Sequence, residues 1–207
     1  MSQHGSFPRT RRLVPGERPR AHAGRPPAAS RELLQEAAFE LFQRHGYAGV
    51  TVDRIARAAG VSRATFFNYF EAKSDVFWVE VDDIIDQLAD AVQHLNLTNA
   101  GLRDLQTLTL RMLGGIGGAA VPWALTNASL LGDVTDLHAS ALRRVQVLTT
   151  AVATAPALRG ATMIERRSIA NTLIGALIAA VLTWAEAGIG RGPLGPYLEA
   201  AFEAIAN

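Results

Sequence analysis

Between residues 51 and 70 the apolar positions fall in two short helical sets, Ile55, Ala56 and Ala59 in the first, Phe66 and Phe70 in the second. Thr51 is placed to cap the first helix, and Asp53 lies in its first turn, where the positive end of the macrodipole favours an acid. Gly60 stops that helix at a point where a tight turn between crossed helices requires positive φ. Val61 plugs the angle between the two helices, and Ser62 caps a second helix that starts at Arg63. With Phe66 and Phe70 turned inward, Arg63, Ala64, Thr65, Phe67 and Asn68 occupy the opposite side and the tip. An arginine there suits the two acceptors of guanine, and Thr65 offers a methyl to thymine or a hydroxyl to phosphate. Asn68 reaches either kind of target, and the small Ala64 permits close approach. This is the pattern of a DNA-reading helix-turn-helix, although spacing alone also fits two helices that merely pack together.

Beyond Lys73 the chain reads as helices almost throughout, so the fold class is all-α: a basic arm at 1–29, a three-helix DNA-binding domain at 30–73 and a helical ligand-binding and dimerisation domain at 74–207. Helices are expected at about Ser74–His94, Leu102–Leu113, Asp136–Ala153 and Ile164–Ala187, with Pro122 restarting helical structure near Trp123 and Pro193 opening the last helix. The glycines from 114 to 118 permit a bend or a mobile loop. The apolar run Ile169–Ala185 approaches the ~20 residues of a membrane span. It also contains Asn171, Thr172 and Thr183, and it reads instead as a helix buried between protein neighbours. Thr172, Ala176, Ala179 and Thr183 make a small-residue face on which a partner helix could pack, the candidate dimer interface.

A net charge of +1 hides an asymmetry. Residues 1–73 hold 12 Lys or Arg against 6 Asp or Glu, and residues 74–207 hold 8 against 13, as expected when one end meets phosphates. The arm, rich in arginine, proline and glycine, cannot bury a core and should be disordered in isolation. Its Gly24-Arg25-Pro26 resembles the short element with which flexible arms enter a narrow minor groove, which makes Arg25 a candidate DNA contact. The absence of cysteine excludes disulfides, zinc fingers and thiol sensing, and accords with a cytoplasmic location. No cofactor or metal site is expected. Asp82, Asp86 and Asp90 repeat on one helical face without a histidine or second carboxylate run to complete a site, which reads as a solvated stripe. No nucleophile elbow, phosphate loop or dinucleotide fingerprint is present, so an enzyme is not expected.

The run from Leu33 through AAFELFQRHGYAGVTVDRIARAAGVSRATFFNYFEAKSDVF closely resembles the DNA-binding domain of TetR-type bacterial regulators. The resemblance implies phosphate contacts by Thr51 and Lys73, adds Ser62 and Tyr69 to the DNA-facing set, and implies a homodimer on a palindromic operator in double-stranded DNA. One position departs from the commoner pattern. Phe67 stands where many relatives have a tyrosine, so the phosphate bond of that hydroxyl gives way to an apolar contact, with Tyr69 as a substitute. A regulator of this type implies an effector in the helical body. Candidate pocket residues are Met112, Trp123, Leu125, Leu130, Val145, Leu148 and Trp184, with Asn127, His138 and Arg143 as polar handles, each of which also suits plain packing. The SDVFW opening, the Arg143-Arg144 pair and Pro156-Ala157-Leu158 resemble a TetR branch with acyl-CoA-like ligands, which casts both arginines as partners for an anionic head group. The expected function is a repressor released from its operator by a small, largely apolar ligand. The alternative is a constitutive architectural DNA binder, which has no need of a roomy pocket.

Overall fold

The computed structural model describes residues 31–97, 99–117, 135–188 and 190–206. The arm with Arg25, and Trp123, Leu125, Asn127 and Leu130, lie outside the described residues.

The N-terminal domain is built from α1 (Arg31–His45), α2 (Val52–Ala58) and α3 (Arg63–Phe67). Leu34, Ala38, Ile55, Phe66 and Phe77 are fully buried at its centre. Phe42, Tyr47 and Phe77 pack ring against ring at centroid distances of 5.2–5.6 Å. A 3-10 turn at Lys73–Phe77 leads to Trp78, whose φ of −109° and ψ of 6° interrupt the helical path before α4 (Val79–Gln93). The single fourth helix expected from Ser74 is thus two pieces. The break allows the Trp78 ring to turn into the interior, where its Nε1 donates to Ser140 Oγ at 2.8 Å.

The body adds α5 (Leu102–Leu113), α6 (Thr135–Ala153), a 3-10 turn at Pro156–Leu158, α7 (Met163–Glu186) and α8 (Gly195–Ala204). The all-α architecture, a helix-turn-helix domain followed by a larger helical domain, is as expected. Thr162 caps α7 and forms a reciprocal box with Glu165, whose carboxyl is held below its usual range by the Thr162 hydroxyl and backbone N–H. By length and composition α7 is apolar enough to cross a bilayer. In this fold it is the central helix of the body, packed on α6 and α8 through Leu173, Ile174, Leu177 and Trp184. Its phase differs from expectation, because Ala176 is only 6% exposed and belongs to the chain's own core. The apolar side chains of α7 run round the whole helix, so their periodicity does not single out a face. The outward stripe instead carries Ile164, Asn171, Gly175, Ile178 and Leu182, with Ala179 and Thr183 exposed beside it and Thr172 half-buried. The glycine stretch after α5 is pinned where it begins, since Gly114 and Ile116 carbonyls accept from the Gly195 and Leu194 N–H groups at 2.9 Å each.

Two hydrophobic clusters result, one per domain, with Leu137 of α6 joining the N-terminal one. A chain of ion pairs ties the two domains together. Arg144 of α6 meets Asp82 through Nε at 2.6 Å and NH2 at 2.8 Å, and meets Asp75 through NH1 at 3.1 Å. Asp82 also accepts from Arg31 of α1 at 2.9 Å, and Asp75 from Arg143 at 3.1 Å and from the Ala72 N–H at 2.8 Å. Arg143 further pairs with Glu71. Asp82 is therefore no member of a solvated stripe. Cutting the buried end of this chain leaves charges without partners, which is the costly way to break an ion pair. Asp75→Ala is expected to lower the unfolding free energy by about 3 kcal/mol, read as a reduced urea midpoint at fixed protein concentration. Asp83→Ala, at the exposed end beside Arg31, is expected to cost less than about 1 kcal/mol.

Candidate DNA-reading face and body cavity

The turn between α2 and α3 follows from its residues. Gly60 has φ +71°, its N–H donates to Arg57 O and the Val61 N–H to Ala56 O, so the last carbonyls of α2 are satisfied by a Schellman motif. Thr51 Oγ1 accepts from the Arg54 N–H at 3.3 Å and Ser62 Oγ from the Thr65 N–H at 3.0 Å, which fixes the start of each helix. The Ser62 and Thr65 hydroxyls also bond each other at 2.8 Å, so both first serve the cap.

Phe66 and Phe70 are buried, and Ser62, Arg63, Ala64, Phe67, Asn68 and Tyr69 form an exposed face around the α3 tip, with Thr65 half-buried and Thr51 exposed. Phe67 and Tyr69 present 43% and 40% of their surface, a high exposure for aromatic rings and one that suits contact with a sugar or a thymine methyl. Arg63 is held in place: its NH1 donates to Asp53 Oδ2 at 2.9 Å, and its guanidinium lies 5.1 Å from the centre of the Phe67 ring. Asp53, read from the sequence only as a first-turn acid, thus orients the foremost arginine, a pairing hidden by the ten-residue separation.

Lys73 makes its described contacts within the domain. Its Nζ donates to Tyr47 O at 2.8 Å and Val50 O at 2.9 Å, and lies 3.7 Å from the Tyr47 ring centre. The ammonium therefore ties the connection before α2 to the turn after α3 and holds the reader in shape. Lys73→Met is expected to destabilise the domain by about 1–3 kcal/mol, because two part-buried carbonyls lose a charged donor. A thermal unfolding midpoint unchanged from the parent would overturn that structural role.

In the body, a cavity of about 330 Å³ lies between α4, α5, α6, α7 and the start of α8. Its wall is formed largely by Trp78, Ile85, Leu88, Ile174, Leu177 and Trp184. Of the pocket candidates, Val145, Leu148 and Trp184 line it. Met112 packs against the core without reaching the cavity, and His138 is exposed. Arg143 points to Glu71 and Asp75 on a separate groove, whereas its neighbour Arg144 lines the cavity. The α4 contribution was open to inspection in the sequence, since Trp78, Val81, Ile85 and Leu88 follow one another at spacings of three and four. Arg144 and Trp78 belong both to the cavity wall and to the contacts joining body and reader, with the guanidinium 5.1 Å from the Trp78 ring centre.

Residues 34–77 match the profile of the bacterial regulatory proteins of the tetR family. The chain is 33% identical over 84 residues to the regulator MftR of Mycobacterium tuberculosis, an alignment covering 41% of this chain and 42% of that one. It is 34% identical over 95 residues to the transcriptional regulator EthR of Mycobacterium tuberculosis, covering 45% and 39%. The chain spans about two-fifths of the length of these curated relatives. A crystal structure of Thermus thermophilus FadR, a TetR-family transcriptional repressor in complex with lauroyl-CoA, shares the fold with a TM-score of 0.54 and 24% identity over 86% of this chain and 93% of that one. The likeness in sequence to tetR-family regulators is thus carried by the N-terminal domain, and the likeness in fold extends through the body.

Proposed function

We propose that the protein is a homodimeric repressor that binds a palindromic operator through α3 and leaves it when a small, largely apolar molecule enters the body cavity. The observation that carries this reading is the double membership of Trp78 and Arg144. Each lines the cavity, and each makes contacts that fix the seam between reader and body. A ligand that favours a different setting of these two side chains shifts the reader by its differential affinity for the two settings. The cavity favours a sensor over a constitutive architectural binder, which has no use for a void in its core.

The outward stripe of α7 supports a two-fold partner, since Ile178 and Leu182 are 36% and 49% exposed and continue to Ile164 at 72%. Ile178 and Leu182 also belong to the cavity rim, so a partner helix laid on the stripe would shield the cavity from solvent. Two α3 helices about one duplex turn apart, ~34 Å, then match a palindrome. FadR was crystallised with lauroyl-CoA, and the cavity suits an acyl chain; Arg143, the cation expected beside a head group, is already committed to Glu71 and Asp75.

The direct test is binding to the DNA upstream of the protein's own gene and to a scrambled duplex at two salt concentrations. Arg63→Ala is expected to lose about 1–3 kcal/mol on the upstream site and much less on the scrambled one. Equal losses on both duplexes would remove Arg63 from base reading. Equal affinity of the parent protein for both would favour the architectural alternative.

A further inference from the structure

We propose that the molecule this cavity takes is uncharged and hydrocarbon-rich, and that carboxylates and acyl-CoA thioesters are refused on grounds of charge. The inference rests on the reading of the cavity as an effector site and goes on to name the chemistry of the effector.

Among the described residues the cavity wall is carbon, with one charged side chain, Arg144. That guanidinium is spent. Nε and NH2 clasp Asp82 at 2.6 and 2.8 Å, and NH1 donates to Asp75 at 3.1 Å and to Ser140 O at 3.0 Å. An anionic head group could take Arg144 only by stripping it from both carboxylates. Asp75, whose side chain is 7% exposed, would then face the new anion in a poorly hydrated setting. The neighbourhood offers no surplus of positive charge to offset this. In the ion-pair chain that holds Arg144, Arg31, Arg143 and Arg144 stand against Glu71, Asp75, Asp82 and Asp83, so the chain has no cation to spare for a further anion.

The sequence between the described segments adds nothing cationic, since residues 118–134 contain Asp133 and no Lys, Arg or His. Arg191 stands outside the cavity wall, with its guanidinium 5.6 Å from the ring centre of the wall residue Trp184, its Nε donating to Gly188 O and its NH1 buried without a hydrogen-bond partner. It is the cation that an acid in this cavity would have to reach past Trp184. A neutral chain has none of these costs and gains by leaving water for an apolar wall.

Three ligands with the same ten-carbon chain separate the possibilities: 1-decanol, decanoate and decanoyl-CoA, each titrated into the full chain by calorimetry and, separately, into its complex with upstream DNA. Decanol is expected to bind at least about tenfold more tightly than either anion. Val145→Phe, which fills the cavity from α6, is expected to abolish decanol binding while urea unfolding remains a single cooperative transition. Decanoate or decanoyl-CoA binding as tightly as decanol would overturn the proposal, and loss of that binding in Arg191→Gln would show which cation had been misjudged. Failure of all three to bind would overturn it too, while selective operator binding would survive intact. Decanol binding that leaves the DNA complex undisturbed would uphold the ligand class and instead defeat release as the mode of regulation.

Discussion

Asp75 and Arg144 join the two halves of this protein, and the rest of the structure is arranged around keeping that pair satisfied. Each domain has its own apolar cluster, and burial alone would allow the small N-terminal domain to sit on the body at more than one angle. Direction comes from the polar contacts. The Ala72 N–H, Arg143 and Arg144 converge on Asp75, Asp82 receives Arg144 and Arg31, and Trp78 reaches Ser140 across the seam. Ion pairs of this kind add little net stability against an apolar replacement, but they are intolerant of misplacement, because a shift leaves a poorly solvated charge without its partner. Such a seam has few settings.

The reading face depends on the same principle at smaller scale. Its hydroxyls and charges are committed before any DNA arrives: Ser62 and Thr65 to the cap, Lys73 to two carbonyls, Arg63 to Asp53 and the Phe67 ring. Commitment reduces the entropy lost when an arginine meets a base, since the side chain is already extended along one direction. It also sets a threshold. Any acceptor that meets Arg63 must compete with the Asp53 carboxylate, and only a target offering comparable acceptors in the right place compensates for that loss.

What could be read from the sequence divides along the same line. The helix-turn-helix was legible because its determinants are local: a capping threonine, a glycine at positive φ, a capping serine and two phenylalanines four apart all act within a span of twenty residues. The helix limits in the body were legible from prolines, glycines and polar breaks for the same reason. The partners of Arg143 and Arg144 were not, because Asp75 and Asp82 lie more than sixty residues away and adjacent arginines on an isolated helix point to solvent by default. The phase of α7 escaped because a helix apolar on every side carries no mark of which side is inward, and Ala176 looked as suitable for a partner as for the core. In this protein local chemistry specifies the elements, while charge pairs distant in sequence specify how they meet.

That division sets what can vary in the cavity without disturbing the seam. The cavity wall is carbon contributed by several helices, and exchanging one aliphatic side chain for another of similar volume usually costs little. The seam is different, since its charges share partners and a change at one of them disturbs several pairs at once. Substitutions of Ile85, Val145 or Leu177 can therefore reshape the site for another apolar molecule while Asp75, Asp82 and Arg144 continue to define the two domains' orientation. A head group that needed Arg144 for itself would have to be accompanied by changes at both carboxylates. The cavity is thus free to vary in shape and constrained in charge, because Arg144, the one ionic wall residue among the described residues, already belongs to the seam.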